Sequence, residues 1–181
     1  MARIDLHETI PLPEGVTATV NPPAVTVKGP EGELTREFQA KGVTIKADQE
    51  SITLEATQVT KPIKNLLLTF KAHLKNMVHG AKEGFTYKLK ACSGHFPMTV
   101  AAKDGKLEIK NYLGEKVPRV LRLKEGADVK VNGEEITVKA ADREVAGQVA
   151  ADIENITRRP GFDRRVFQDG IYITEKPARE V

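Results

Sequence analysis

Tryptophan is absent, cysteine occurs once, and aromatic residues make up only 5% of this 181-residue chain. Each shortage excludes something. A single cysteine, Cys92, rules out an intrachain disulfide framework and fits a reducing compartment. No apolar stretch approaches the roughly 20 residues needed to span a bilayer, and no apolar run follows a basic start. A soluble, cytoplasmic protein with no membrane partner is therefore expected. Few aromatics argue against an extended base-stacking platform, although Phe162, Phe167 and Tyr172 gather near the C-terminus.

The motifs of catalysis are missing as well. There is no GxxxxGK phosphate-cradling loop, no GxGxxG turn and no GxSxG nucleophile elbow. Cys92 and His95 have a Cys-x-x-His spacing, but zinc takes four ligands, and His7, His73 and His79 show no paired spacing with them. Glu134 and Glu135 fall in a turn, where adjacent carboxylates are ordinarily solvated. Without convergent reactive groups, the expectation is a protein that is not an enzyme and takes no cofactor, metal or small-molecule substrate. Excess charge of one sign is lacking too, since 28 Lys and Arg against 25 Asp and Glu leave a net +3. Any affinity for a polyanion must come from local clustering rather than a global field.

What is present is periodicity, and it changes along the chain. Val16, Ala18 and Val20 alternate with threonines before Asn21-Pro22-Pro23, the pattern of a half-buried strand ending in a turn. Val25 and Val27 alternate before Gly29-Pro30-Glu31-Gly32, and Leu34, Arg36 and Phe38 complete a hairpin. Val43 with Ile45 and Ile52 with Leu54 make a second hairpin across Asp48-Gln49-Glu50. Then Ile63, Leu66, Leu67, Phe70, Leu74, Met77 and Val78 form one apolar stripe at helical spacing. Thr60 is the expected N-cap, Pro62 is tolerated in the first turn, and Gly80 is the expected stop. Lys61, Lys64, Lys71 and Lys75 lie off the stripe, where they could touch phosphate or simply form a solvated face.

The same programme then restarts. Residues 25–34 lie over residues 98–107 without a gap, placing Gly32 on Gly105 and Leu34 on Leu107. Ile52-Thr-Leu-Glu-Ala56 lies over Ile136-Thr-Val-Lys-Ala140, after an Asn132-Gly133 hairpin turn. Val145, Val149, Ile153 and Ile156 repeat the helix after Asp142. The pattern predicts an α+β protein of two similar small domains from internal duplication, 1–82 and 83–181, each an antiparallel sheet with one packed helix. The second copy adds a longer middle, Lys110 to Leu123, and a basic tail.

That tail concentrates the chemistry. Arg158, Arg159, Arg164 and Arg165 fall within eight residues, opposed locally only by Asp163, between Pro160-Gly161 and Asp169-Gly170. Guanidinium groups match phosphate oxygens two at a time, so such a loop suits a polyanion; a solvated, salt-bridged tail is the alternative. Lys88 and Lys90 alternate with Tyr87, Leu89 and Ala91 on one strand face, and Lys116, Arg119, Arg122 and Lys124 lie in the longer middle. Three basic segments with few stacking aromatics fit shape-based recognition of folded RNA through phosphate and ribose.

Four stretches carry a resemblance: GHFPM at 94–98, NYLGEK at 111–116 with Arg119, VAGQVAADIE at 145–154, and RVFQDGIY at 165–172 with Glu175-Lys176. In these the chain resembles the ribosomal protein L-six family of the large subunit, in its archaeal and eukaryotic branch. The resemblance implies a duplicated two-domain structural protein that binds 23S-type ribosomal RNA chiefly through the second domain. It places the contact near the sarcin–ricin loop and the region where translational GTPases dock, with neighbouring ribosomal proteins as further partners. The contact residues it implies are Arg158, Arg159, Arg164, Arg165 and Lys176, with Lys88, Lys90, His95 and Lys116 beside them. Removing 157–181 is then expected to abolish RNA binding. The bacterial branch carries KGKGIRY where this chain has FQDGIYI, so contacts of those lysines do not transfer to Gln168 and Asp169. The competing class is a protein–protein adaptor that uses the duplicated domains without direct RNA contact.

Overall fold

The β-branched alternations become short antiparallel strands, and the two apolar stripes become the only two long helices among the described residues. The computed structural model describes residues 5–39, 42–57, 59–163 and 165–177. The chain divides into two compact units, Met1–Gly84 and Phe85–Val181.

In the first unit β1 (Leu6–Pro11), β6 (Ser51–Ala56) and β5 (Val43–Ala47) form one sheet in the order β1-β6-β5. A second sheet joins β2 (Thr17–Asn21), β3 (Ala24–Gly29) and β4 (Gly32–Glu37). Helix α1 (Lys61–Lys82) covers them, burying Leu67, Phe70, Leu74, Met77 and Val78 against Ile10, Val25, Val27, Ile52 and Leu54. Strand β1 is not foreseen by the sequence pattern. Its inward residues include Glu8, and that charge is matched by Lys71 of α1 at 2.5 Å.

Gly80 does not stop α1. It is buried inside the helix, which runs on to a C-cap at Glu83; the N–H of Gly84 closes back on the Gly80 carbonyl at 3.0 Å. Gly84 takes the left-handed φ of +74° that ends a helix without a Cβ clash. Thr60 is the N-cap residue, but its side chain makes no capping hydrogen bond. Gly29 is required for a different reason. A Cβ there would come within 2.4 Å of the Ala81 carbonyl oxygen, which also accepts from the N–H of Glu31 at 3.1 Å.

The second unit repeats the plan with β7 (Phe85–Cys92), β12 (Glu135–Ala140) and β11 (Ala127–Asn132) in the places of β1, β6 and β5. Pairing is equivalent, Val43 facing Ala56 as Ala127 faces Ala140. Helix α2 (Arg143–Ile156) buries Ala146, Val149, Ala150 and Ile153, and its N-cap Asp142 accepts from the Glu144 N–H at 2.8 Å. The smaller sheet joins β8 (Thr99–Lys103), β9 (Lys106–Lys110) and β10 (Arg119–Arg122) in the order β10-β9-β8.

The hairpins of the two copies are not identical. Leu34 faces Val27, whereas Leu107 faces Ala102 and not Val100, the position an ungapped overlay puts on Val27. A shift of two residues keeps every inward side chain inward, because the strand period is two. The extra strands differ as well: β2 flanks the first strand of its hairpin, β10 the second. Finally β13 (Gly170–Glu175) adds a fourth strand on the free side of β7, where β1 in the first unit is an edge.

Candidate nucleic-acid interface

The loops at the Cys92 end of β7 are tied together by one acidic residue that polarity alone would place on the surface. Asp169, immediately before β13, has a side chain only 4% exposed. Its Oδ1 accepts from the backbone N–H groups of Gly94 at 2.6 Å and His95 at 3.0 Å, and its Oδ2 lies 2.5 Å from His95 Nδ1. Burial pushes this carboxyl up, but the donors of His95 and Gly94 outweigh burial and hold it below its ordinary value. Asp169 thereby clamps the 93–98 loop to the start of β13.

A second tie comes from the longer middle. The buried Tyr112 hydroxyl donates to the Thr157 carbonyl and reaches the Asp169 carbonyl at 3.4 Å. Burial raises the Tyr112 phenol above its ordinary value. Thr157 is buried too; its hydroxyl donates to the Glu154 carbonyl at 2.9 Å and accepts from the Ile171 N–H at 3.1 Å. Asn111 Nδ2 donates to the Pro97 carbonyl at 3.0 Å, and Phe96 lies against Gly114. The loops 93–98 and 111–118 and the described residues of 157–169 therefore form one cross-braced surface.

Arg119 is part of the brace. It donates twice to Glu115, at 2.8 and 2.7 Å, and to the Ile156 carbonyl at 2.6 Å, with its guanidinium 4.3 Å above the Tyr112 ring. The hydrogen bonds from Arg119 hold the Glu115 carboxyl below its ordinary value. In sequence Arg119 belongs with the basic residues of the longer middle; in the fold three of its five N–H donors are used inside the protein.

The expected contact residues separate into two sets. His95, Lys116, Arg158, Arg159 and Arg165 are exposed on the braced loops. Arg158 and Lys116 make no side-chain ion pair with the described residues, whereas Arg159 stacks 4.3 Å over the Phe162 ring and lies 3.7 Å from Glu115. Arg165 pairs with Asp163 at 2.8 Å while 90% exposed. Arg164 lies outside the described residues. Lys88 and Lys90 stand on the outward face of β7, beside Glu175 at 2.7 Å and Glu134 at 3.9 Å. Lys176 follows β13 at the end of the strand away from Asp169, since Gly170 faces Cys92 and Glu175 faces Lys88.

Between the loops lies a cavity of 440 Å³, lined in part by Arg158, Arg159, Phe162, Phe167 and Tyr172. Phe167 packs 5.0 Å edge-on to Phe162 and 5.2 Å from His95. Sequence reasoning missed Tyr112, Glu115 and Asp169 as the residues that hold this surface in shape. Asp169-Gly170 reads as a turn, and only the fold brings it to Gly94 and His95. Among the described residues, no group of three or more His, Cys, Asp or Glu could hold a metal ion. No helix among them is long and apolar enough to cross a membrane.

A twice-repeated sheet-and-helix unit, whose second copy carries a braced and basic loop surface, defines a duplicated α+β scaffold protein. The chain belongs to the Ribosomal protein L6 family: the family model matches residues 12–84 and again 96–170, once in each unit. It is similar to the large ribosomal subunit protein uL6 of Methanococcus vannielii, 42% identical over 174 residues that cover 96% of each chain. The uL6 protein of Natronomonas pharaonis is 41% identical over 174 residues, covering 96% of this chain and 98% of that one. That of Methanothrix thermoacetophila is 40% identical over 165 residues, 91% of this chain and 94% of its own. These relatives carry the name of a ribosomal protein and not of an enzyme, in keeping with the non-catalytic sequence.

Proposed function

We propose that the chain binds large-subunit ribosomal RNA through the braced loops of its second unit, near the sarcin–ricin loop and the docking region of translational GTPases. The observation that carries this is the presentation of Lys116, Arg158, Arg159 and Arg165 by separate loops held in register by the buried Asp169 and Tyr112. Cations on a stiff frame can meet phosphates at fixed spacing with little ordering cost on binding. The exposed Arg165–Asp163 pair is of the kind worth little by itself, so its guanidinium can exchange partners for a phosphate. Arg159, with its guanidinium 4.3 Å over the Phe162 ring, presents a planar set of donors. Lys88, Lys90 and Lys176 would extend the contact along the outward face of β7 and the end of β13.

Point charges are the right test. Arg158→Glu with Lys116→Glu, two exposed positions outside the brace, should lower affinity for the cognate rRNA fragment at least tenfold with an unchanged melting curve. Nucleotide-resolved footprinting should then lose protection at the sarcin–ricin region. Undiminished affinity, or a footprint elsewhere on the RNA, would sink this reading. Capture of neighbouring ribosomal proteins that survives nuclease treatment while RNA affinity is absent would favour the adaptor instead.

A further inference from the structure

Helix α1 carries a second basic surface that the loops of the other unit do not explain. Its 22 residues, Lys61–Lys82, contain five lysines and two histidines and no Asp or Glu. At about 100° per residue, Lys61, Lys64, Lys75 and Lys82 fall within an arc of roughly 60°, with Leu68, Ala72 and His79 among or beside them. This arc is centred about 130° around the helix from the buried stripe Leu67, Phe70, Leu74 and Met77, on its solvent side.

The charges on this arc are largely uncommitted. Lys71, at its border, is used by Glu8 at 2.5 Å, and Lys82 lies 3.3 Å from Glu83. Lys61, Lys64 and Lys75 are exposed and make no ion pair with any described residue. Lys61 and Lys75 are separated by about 21 Å along the axis at 1.5 Å per residue, room for several consecutive phosphates.

The duplicated partner helix serves as an internal control. Helix α2 occupies the same place in its unit, yet it carries Arg143 against Glu144, Asp152 and Glu154, a formal −2. Covering the sheet therefore does not require a lysine face. A helix that needed only solubility would mix signs, as α2 does, because like charges at spacings of three and four repel.

We propose that the outer face of α1 is a second docking surface for ribosomal RNA, contacting the phosphodiester backbone without reading bases. Resting on the rRNA-binding reading above, it makes the first unit an RNA contact in its own right. Charge complementarity selects the occupant. Compact ammonium groups on flexible stems suit phosphates as point charges, and the arc is bordered on its outer side by the short Ala72 and Asn65.

The test compares three full-length proteins on the large-subunit rRNA: the native chain, Lys61→Gln/Lys64→Gln/Lys75→Gln, and Arg158→Glu/Lys116→Glu. All three lysines are exposed and Gln keeps helix propensity close to that of Lys, so the triple variant should keep its melting temperature. The expected result is a loss of about tenfold or more in affinity, a salt slope shallower by about 1 per lysine, and lost protection at nucleotides that the arginine variant still protects. An unchanged slope and footprint in the lysine variant, with binding lost in the arginine variant, would overturn the α1 surface while leaving the loop interface intact. Crosslinks from residue 68 that trap an acidic ribosomal protein and no RNA would overturn it as well. No binding by the native chain would remove the rRNA reading itself.

Discussion

At the scale of single residues, the second unit turns on a carboxylate that is almost fully buried. Asp169 receives three donors and joins two loops, so its value lies in what it holds and not in what it could bind. Replacing it by Asn keeps the shape but removes the charge that the His95 and Gly94 donors stabilise. Asp169→Asn should destabilise the second unit by about 1–3 kcal/mol near neutral pH, as expected for breaking a buried charged hydrogen-bond group. Because the folded carboxyl lies below its ordinary value, its stabilisation is fully present above the unfolded value of about 4 and is lost as pH falls through the folded value. Thermal melts of native and variant chains should therefore begin to converge below about pH 4 and meet once the pH is below the folded value. A constant gap across the whole acid range would show that titration of this carboxyl is not what matters.

At the scale of elements, the tail is not an appendage. Strand β13 fills the free side of β7, buries Ile171 completely, and continues past a bulge after Ile173, where the Thr174 hydroxyl donates to the Lys88 carbonyl at 3.0 Å. A chain ending at residue 156 would lose that strand together with the Thr157 and Asp169 carbonyls that Tyr112 uses. It should show early amide exchange and rapid proteolysis throughout the second unit, so loss of RNA binding on deleting 157–181 would not isolate the arginines. Ile171→Ala is the milder probe, with an expected cost of about 2–5 kcal/mol for a fully buried side chain. Native-like protection of β7 in the truncated chain would contradict the role assigned to β13.

For the whole molecule, the net charge is only +3, and the proposed binding to a polyanion rests on segregation of that charge. Cations gather on the loops of one unit and on the outer arc of α1 in the other, while acids such as Glu8, Glu115 and Asp169 are used internally. Affinity for ribosomal RNA should therefore fall steeply with salt, with a log–log slope of about one per neutralised phosphate, despite the near-neutral total. Filter binding or calorimetry between low and physiological salt measures it. A slope near zero would refute phosphate contacts on both surfaces at once.

The sequence by itself determined the duplication, the two helices, the α+β class and the basic tail. These rest on local signals: a period of two giving way to 3.6, hairpin turns at Pro30-Glu31 and Asn132-Gly133, and arginines close together in the chain. It did not reveal β1, whose inward Glu8 breaks the alternation and makes sense only beside Lys71, 63 residues away. Nor did it reveal that α1 runs through Gly80, since a glycine stops a helix only where the chain is free to turn, and here packing against β3 carries it on to Gly84. Which arginines are available was likewise a tertiary matter. Arg119 and Arg158 look alike in sequence, but the fold surrounds one with Glu115, Tyr112 and a helix-end carbonyl and leaves the other in water. A charge becomes a brace or a contact according to what the rest of the chain brings within 3 to 4 Å of it, and only folding sets that distance.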